Sequence, residues 1–177
     1  MSDTVVPGAA TVLRPVQRRD HAAVLELNDR NVDLLSPMDE QRLERLLDWA
    51  DRAEVIEADG EFAGFVMTMA PGSDYDSAHY RAHAEHFGTD FYYLDRIVVD
   101  DRFRRHGLAG RAYDEIEAIA APYGRLVLEV NLEPPNVPSL RFHEARGFRP
   151  VSDYPSADGK RVQLLALELP GPRRGRG

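Results

Sequence analysis

The chain has 177 residues, no cysteine and a formal net charge of −8. This length suits one domain with a substantial core, and the absence of cysteine excludes disulfides, thiolate metal ligands and thiol catalysis. The excess of acidic residues argues against sequence-independent binding to nucleic acid, which depends on Lys and Arg. The sequence has no apolar run of membrane-spanning length, and its first residues lack the apolar segment expected of a signal peptide. We therefore expect a cytoplasmic protein without metal, nucleic-acid or membrane partners.

The first part of the chain is predicted to contain a strand, two helices and a hairpin. Residues 1–10 are small and polar, and we expect them to be disordered. The spacing of apolar residues, together with helix-capping and turn residues, predicts the elements that follow. These are a strand over 11–16, a helix over 20–29 capped by Asp20, a helix that begins at Ser36, and strands 54–58 and 62–69 around Asp59-Gly60.

The second part begins with residues 71–88, which are rich in Asp, Ser, Tyr and His and are predicted to form a long loop. Loops of this length inside a compact domain are often functional. The elements predicted after it are strand 91–99, a helix from 108, strand 125–131, a short helix from Asn136 to Gly147, and a hairpin of strands 148–152 and 161–169. Residues 170–177 carry three arginines and are expected to be a disordered basic tail.

The most informative stretch runs from residue 94 to residue 110. A β-branched strand leads there through a charged turn and a glycine-bearing loop into an amphipathic helix. The first amides of such a helix have no partner within it, and the helix dipole favours negative charge at that end. Gly107 tolerates a positive φ and lets a phosphate approach the backbone. Neither G-x-G-x-x-G nor G-x-x-x-x-G-K-[ST] is present.

Two patterns in this part of the chain resemble those of the GNAT acetyltransferase superfamily. Arg104, Gly107 and Ala109 match the family's pyrophosphate loop, [Q/R]-x-x-G-x-[G/A]. The segment from Asn136 to Phe148 resembles N-x-x-A-x-x-[L/F]-Y-x-x-x-G-F, with the same spacing from asparagine to Gly-Phe. The resemblance covers residues 11–169 and is specific over 94–148. It implies one α/β (α+β) domain with a mixed, mostly antiparallel twisted sheet flanked by helices, in which strands 91–99 and 125–131 splay apart.

The resemblance implies direct transfer of an acetyl group from acetyl-CoA to an amine. The acceptor is predicted to be a small-molecule or amino-acid-like amine; a protein N-terminus or lysine, and a non-catalytic acyl-CoA-binding module, are the alternatives. Family members often dimerise, which leaves a homodimer open. The amide of Val98 or of a neighbour would polarise the thioester carbonyl. The residues expected to hold acetyl-CoA are Ile97, Val98, Val99, Arg104, Arg105, His106, Gly107, Leu108, Ala109, Gly110, Asn136, Ser139, Phe142 and His143.

Two carboxylates are candidates for the base that takes a proton from the acceptor ammonium. In family members with an assigned base, it lies nine or eleven residues before the Arg-x-x-Gly motif, which corresponds to Asp95 or Tyr93. Asp95 is the first candidate, with an ion pair or an ammonium anchor as the alternative. Glu129 is the second, because a carboxylate on an apolar strand needs a partner; a structural salt bridge is its alternative. Strand alternation predicts one face with Tyr93, Asp95 and Ile97, and the opposite face with Leu94, Arg96 and Val98.

The sequence departs from the family at the residue that would act as the acid and protonate the CoA thiolate. The usual tyrosine is replaced by His143, whose imidazole can also donate a proton. The alternatives are that the thiolate leaves without help from the protein or that His143 only packs. By family analogy, residues 28–36, 71–88 and 153–160 surround the acceptor. The candidate wall residues are Asn31, Tyr75, Tyr80 and Tyr93, together with His79 and Glu129.

Overall fold

The computed structural model describes residues 11–156 and 158–171. The predictions for residues 1–10, for Ala157 and for the tail beyond residue 171 lie outside the described residues. None of the described helices is long and apolar enough to cross a membrane. The elements are β1 (Thr11–Pro15), α1 (His21–Arg30), α2 (Glu40–Trp49), β2 (Arg52–Ala58), β3 (Glu61–Met69), α3 (Ala78–Phe87), β4 (Tyr92–Val99), α4 (Leu108–Ala120), β5 (Arg125–Glu133), α5 (Val137–Arg146), β6 (Arg149–Pro155) and β7 (Arg161–Glu168).

The seven strands form one sheet in the order β1-β2-β3-β4-β5-β7-β6. All neighbours are antiparallel except β4 and β5, which are parallel because α4 connects them as a crossover helix. These two strands pair only at Tyr92–Leu126 and Tyr93–Val127 and then diverge. We call the space between residues 94–99 of β4 and 128–133 of β5 the gap. The mixed sheet with two splayed strands is thus confirmed.

Helices cover both faces of the sheet and pack against its two cores. Helices α1, α2 and α3 pack on one face, where the core includes Val24, Leu27, Leu43, Leu46, Phe65, Met67, Tyr80, Tyr93 and Val127. Helices α4 and α5 pack on the other face, where the core includes Tyr92, Leu94, Tyr113, Ile116, Ala120, Leu126, Leu128 and Phe148.

The predicted loop over 71–88 is largely a helix, so that prediction is wrong. Ser77 caps α3 by accepting a hydrogen bond from the amide of Tyr80, and Gly88 ends the helix with a φ of 64°. The sequence does not predict the helix because its buried side chains are few and mixed in character: Tyr80, Ala82 and His83. Contact with the sheet, rather than a clear apolar stripe, supports this helix.

Two predicted helix caps also differ from the structure. The N-cap of α2 is Asp39, whose carboxylate accepts a hydrogen bond from the amide of Arg42 at 2.7 Å; Ser36 lies in the extended segment before it. Asp20 does precede α1, but its carboxylate binds the guanidinium of Arg14 instead of capping that helix. The α2 cap lies three residues later than predicted, and the carboxylate of Asp20 is diverted to a side chain of β1.

A β-bulge in β4 reverses the predicted alternation of its side chains. Met67 of β3 pairs with Arg96 and the next residue pairs with Leu94, so Asp95 is the extra residue. Arg96 therefore faces the same helices as Asp95 and contacts α1. Val98 follows it into the core beneath α1 and α2, whereas Ile97 packs on the α4 side. The predicted positions of Arg96, Ile97 and Val98 are therefore wrong, because a bulge shifts the period by one residue.

Candidate active site

The loop between β4 and α4 ends in an open helix N-terminus. Gly107 is the N-cap with a φ of 72° and offers no side chain to the helix. The first bond into α4 runs from the amide of Arg111 to the carbonyl of Gly107, at 3.1 Å. The amides of Leu108, Ala109 and Gly110 come before this bond, so none has an acceptor within α4. We call residues 104–110 the cradle; its amides at 108–110 are available to an external acceptor.

Charged residues surround the cradle. Arg104, Arg105 and His106 are exposed, and Arg104 also contacts Asp101 at 2.7 Å. Arg105 has a φ of 66°, which is uncommon for a residue with a side chain and shows how sharply the backbone turns before Gly107. These residues place positive charge beside an unpaired helix N-terminus, the arrangement that favours phosphate.

Asp100 anchors the start of this loop. Its carboxylate accepts hydrogen bonds from the amide of Arg102 and from the guanidinium of Arg30 on α1, both at 3.0 Å. Burial alone would raise the pKa of Asp100, but these donors outweigh it and lower the pKa to about 2. The carboxylate stays ionised and ties the loop to α1.

One edge of β4 faces the gap and has no strand partner there. The carbonyl of Val98 points to Gly64 of β3, 2.1 Å from where a Cβ would stand, and the amide of Asp100 donates to Ala63 of β3. Successive strand residues alternate their backbone groups between the two edges, so those of Ile97 and Val99 face the gap. An extended ligand can pair with Ile97 and Val99, whereas the backbone of Val98 is turned away.

The short helix α5 has the predicted boundaries. Asn136 caps it by accepting a hydrogen bond from the amide of Ser139, and Gly147 ends it in the left-handed conformation. Phe142 is half-buried and packs against Tyr113 of α4, with ring centroids 5.1 Å apart. The side-chain oxygen of Asn136 is therefore used to cap the helix.

His143 is buried between α4 and α5. Its Nδ1 lies 2.7 Å from the carbonyl of Ser139 and its Nε2 lies 2.6 Å from the hydroxyl of Tyr113. A carbonyl can only accept, so Nδ1 carries the proton and Nε2 accepts from Tyr113. Burial lowers the pKa of His143, and the ring packs against Phe148. Both ring nitrogens have partners inside the protein, which favours the packing alternative.

On the opposite side of the sheet, Glu129 lies at the centre of a partly buried polar cluster. Its Oε1 accepts a hydrogen bond from the hydroxyl of Tyr93 at 2.6 Å and lies 3.3 Å from Nδ1 of His79. Its Oε2 lies 3.8 Å from Nε2 of His83. Burial would raise the pKa of Glu129, but the two imidazoles outweigh it and lower the pKa to about 2. We call Tyr93, His79, His83 and Glu129 the Glu129 cluster.

Three polar atoms of the Glu129 cluster have no hydrogen-bond partner among the described residues. These are Oε2 of Glu129 and both ring nitrogens of His83, all of which are buried. Buried polar atoms are nearly always hydrogen-bonded, so this position calls for a donor or acceptor from a ligand or solvent. Within the described residues, no set of three His, Asp or Glu side chains has the arrangement of a metal site.

Asp95, the first candidate base, is held in a buried ion pair. Its Oδ1 accepts from the hydroxyl of Tyr75 at 2.5 Å and its Oδ2 accepts from Nε of Arg96 at 2.7 Å. Arg96 in turn donates to the side-chain oxygen of Asn28 on α1 at 2.9 Å. Both Asp95 oxygens are therefore engaged, which is the arrangement of the ion-pair alternative.

Three of the four predicted substrate residues come together. Tyr75, Tyr80 and Tyr93 form one aromatic cluster beneath α3, with ring centroids 5.4 to 6.2 Å apart. The hydroxyl of Tyr80 donates to the carbonyl of Ala70, so its role there is structural. Asn31 lies outside this cluster and donates to the carbonyl of Leu27 at the end of α1.

The sequence alone does not single out His83, Arg96 or Tyr113. His79 and His83 are four residues apart, which places them on one helix face. That spacing would have indicated a shared partner if 71–88 had been predicted as a helix. Nothing in the local sequence joins Tyr113 to His143, or Arg96 to Asn28.

The comparisons with known proteins agree with this architecture. The sequence profile of the Acetyltransferase (GNAT) family matches residues 21–148. No curated protein matches the chain. Three solved structures illustrate the shared fold, each below 25% identity.

The ribosomal-protein-S18-alanine N-acetyltransferase from Escherichia coli is 19% identical, with a TM-score of 0.67 over 95% of this chain and 99% of that one. Ard1 from Thermoplasma volcanium is 16% identical, with a TM-score of 0.68 over 90% and 98%. YncA from Salmonella typhimurium, solved with its cofactor acetyl-CoA, is 15% identical, with a TM-score of 0.66 over 96% and 99%. With the profile match over most of its length, the chain belongs to the GNAT acetyltransferase family, whose members use acetyl-CoA.

Proposed function

We propose that this protein transfers the acetyl group of acetyl-CoA to the amine of a small-molecule or amino-acid-like acceptor. The observation that carries the proposal is the Glu129 cluster, whose half-buried anionic carboxylate lies on β5 just beyond the last β4–β5 pair. A negative charge there attracts an ammonium group, and the gap beside it has an unpaired strand edge for the donor.

The residues of the donor side fit acetyl-CoA, which supplies an activated acetyl thioester. The amides of residues 108–110 are free to bind a diphosphate, and Arg104 and Arg105 add positive charge. The backbone of Ile97 and Val99 would hold the pantetheine amides along the edge of β4. The oxyanion donor is then one of these edge amides, since that of Val98 faces β3.

The residues of the acceptor side must bind an ammonium and remove its proton. A primary amine has a pKa near 10, so almost all of it is protonated at neutral pH and cannot attack a carbonyl. The Glu129 cluster combines a carboxylate with two imidazoles, which are the groups that can accept this proton. Asp95 instead holds Arg96 in place, and we assign it a positioning role.

The proposed small size of the acceptor is supported by helix α3, which covers the Glu129 cluster. Helix α3 lies across this end of the sheet, and its His79 packs edge-on against Tyr154 of β6 at 5.4 Å. Ala82 of α3 also packs with Val162 and Leu164 of β7. A peptide groove would need this contact to be open, so a compact acceptor fits better than a protein N-terminus or lysine.

The departing thiolate receives no proton from His143 in this proposal. Its Nδ1 proton is committed to Ser139 and its Nε2 accepts from Tyr113. In this proposal the thiolate of CoA leaves without a proton donor from the protein.

The proposal is tested by product identification. The purified protein is incubated with acetyl-CoA and one acceptor class at a time: amines, amino acids, polyamines or short peptides. Mass spectrometry then detects the acetylated product. We expect acetylation of a small amine and none of the peptides. Acetylation of peptides alone would replace the proposed acceptor class. Binding of acetyl-CoA without any acetylated product would contradict the enzymatic proposal.

A further inference from the structure

We infer that His79 of α3 takes the proton from the acceptor ammonium, and that Glu129 orients its ring for this task. This inference rests on the proposed function and adds a catalytic group to it. It assigns the two members of the pair different roles: the carboxylate holds one ring nitrogen, and the other ring nitrogen acts as the base.

The orientation of the pair supports this assignment. Nδ1 of His79 lies 3.3 Å from Oε1 of Glu129, and the same oxygen is fixed by the hydroxyl of Tyr93 at 2.6 Å. A carboxylate facing Nδ1 favours the tautomer with the proton on Nδ1, which leaves a lone pair on Nε2. Carboxylate–imidazole pairs in hydrolases use the same arrangement, in which the carboxylate does not take the proton itself.

Exposure distinguishes His79 from its neighbour. The side chain of His79 is 19% exposed, whereas that of His83 is 0% exposed. His79 therefore lies at the edge of the Glu129 cluster, between α3 and the β6 residue Tyr154. Of the two imidazoles, it is the one that an acceptor entering from solvent can reach, and the one that can return a proton to water.

The proton affinities of the two groups agree with these roles. A carboxylate with a pKa of about 2 is a weak base at neutral pH. Burial would lower the pKa of His79, but Glu129 outweighs it and raises the pKa above the ordinary value of about 6.5. Because its pKa is raised while that of Glu129 is lowered, the imidazole is the stronger base of the pair, which suits proton transfer.

The groups around His79 that affect its pKa come from several elements. Glu129 of β5 and the more distant Asp95 of β4 and Asp158 of the β6–β7 turn favour the protonated ring. The neutral groups are Tyr93, whose hydroxyl binds Glu129, and Tyr154, whose ring packs edge-on. Nε2 of His83 lies 3.8 Å from the other carboxylate oxygen of Glu129.

The proposed step is balanced by one proton and one electron pair. An N–H bond of the acceptor ammonium breaks, and its electron pair stays on the nitrogen as the amine lone pair. The proton forms a bond with Nε2 of His79, and the resulting imidazolium is stabilised by Glu129. The imidazolium later returns the proton to water, so the ring is neutral again before the next turnover.

The first test is the pH dependence of kcat/KM for the whole protein with its identified acceptor. We expect His79→Gln to lower kcat at neutral pH about 100-fold, the scale of a lost general base, and to abolish the acid limb of the profile. Acetyl-CoA affinity should be unchanged by calorimetry. His86→Gln is the matched control, because His86 is exposed on the same helix and should leave rate and profile unchanged. A His79→Gln variant that keeps the wild-type rate and acid limb would overturn the inference.

The second test needs no acceptor. NMR titration of the histidine rings, with His79 assigned from the His79→Gln spectrum, gives its pKa in the wild type and in Glu129→Gln. We expect the pKa of His79 to fall in Glu129→Gln, because the ring loses the carboxylate that favours its protonated form. An unchanged pKa would overturn the pairing of His79 with Glu129. Absence of turnover in a wild type that binds acetyl-CoA would instead refute the proposed function, so the two failures are distinguishable.

Discussion

The two sides of the gap are constructed differently. The cradle uses the backbone of one continuous segment, with free amides at residues 108–110 and a left-handed Gly107. The Glu129 cluster uses side chains from β4, α3 and β5, which are distant in sequence. A site made from backbone needs only the correct local conformation, whereas a site made from side chains needs each residue to be present and correctly packed. The first can be recognised from a short motif and the second cannot.

The largest expected effect comes from blocking the cradle. Gly107→Glu places a side chain and a negative charge where the phosphates should bind, and we expect acetyl-CoA affinity to fall about 1000-fold, or ~4 kcal/mol. Gly107→Ala is the matched control, because a Cβ at this position meets nothing within 4 Å and adds only the cost of a positive φ. Calorimetry measures both. Unchanged affinity in Gly107→Glu would show that the diphosphate binds elsewhere.

The next effect separates packing from catalysis at His143. His143→Ala removes a buried ring and leaves the hydroxyl of Tyr113 without its partner, so we expect a loss of about 3 kcal/mol in the free energy of unfolding. The pH profile of kcat/KM should keep its shape. Tyr113→Phe is the companion variant, which removes the same hydrogen bond and leaves the ring in place. A stable His143→Ala variant that loses one limb of its profile would restore the role of His143 as an acid.

A smaller effect tests the two candidate carboxylates against each other. Asp95→Asn replaces the charged acceptor of Arg96 with a neutral one, and we expect the unfolding free energy to fall by about 2 kcal/mol, the scale of a hydrogen bond to a charged group. The acid limb of kcat/KM should remain, because Asp95 accepts no proton in this account. Denaturant unfolding and the pH profile give the two readouts. An inactive Asp95→Asn protein with wild-type stability would make Asp95 the base.

The smallest effect concerns stability in acid. The pKa of Asp100 is lowered to about 2 in the folded protein, against about 3.9 in an unfolded chain. Its stabilising contribution is therefore complete above pH ~4 and is lost as the pH falls from ~4 to ~2. Asp100→Asn should lower stability at pH 7 by roughly 1–2 kcal/mol and flatten its pH dependence over that window. Urea unfolding at several pH values checks this; an Asp100→Asn curve parallel to the wild type would contradict it.

The sequence predicts well those features that local patterns control. Periodicity, turn chemistry and the family resemblance predict the order of the strands, four of the five described helices, the splay of β4 and β5, the positive φ of Gly107 and the cap by Asn136. The features that the sequence does not predict have non-local causes. The bulge at Asp95 depends on how β3 pairs with β4, and α3 depends on contact with the sheet. The burial of His143 depends on Tyr113, thirty positions earlier in the chain.

The roles of individual side chains were the hardest to predict for the same reason. Asp95 and Glu129 are both acidic residues on neighbouring strands, and the sequence ranks Asp95 first by its distance from the Arg-x-x-Gly motif. The structure gives Asp95 an adjacent cation, Arg96, through the bulge. It gives Glu129 two imidazoles from α3 and leaves one of its oxygens without a partner among the described residues. Only the tertiary contacts distinguish the carboxylate in an ion pair with Arg96 from the carboxylate that faces two imidazoles.

The central claim is that the acceptor amine reacts at the Glu129 cluster with acetyl-CoA bound at the cradle. The most direct measurement compares thiol release from acetyl-CoA by the wild type and by Glu129→Gln, with the amine that mass spectrometry identifies. A thiol reagent gives no background from the protein, since the chain has no cysteine. We predict that Glu129→Gln binds acetyl-CoA with wild-type affinity and releases thiol at least about 100-fold more slowly. Equal rates of thiol release in the two proteins would contradict the account.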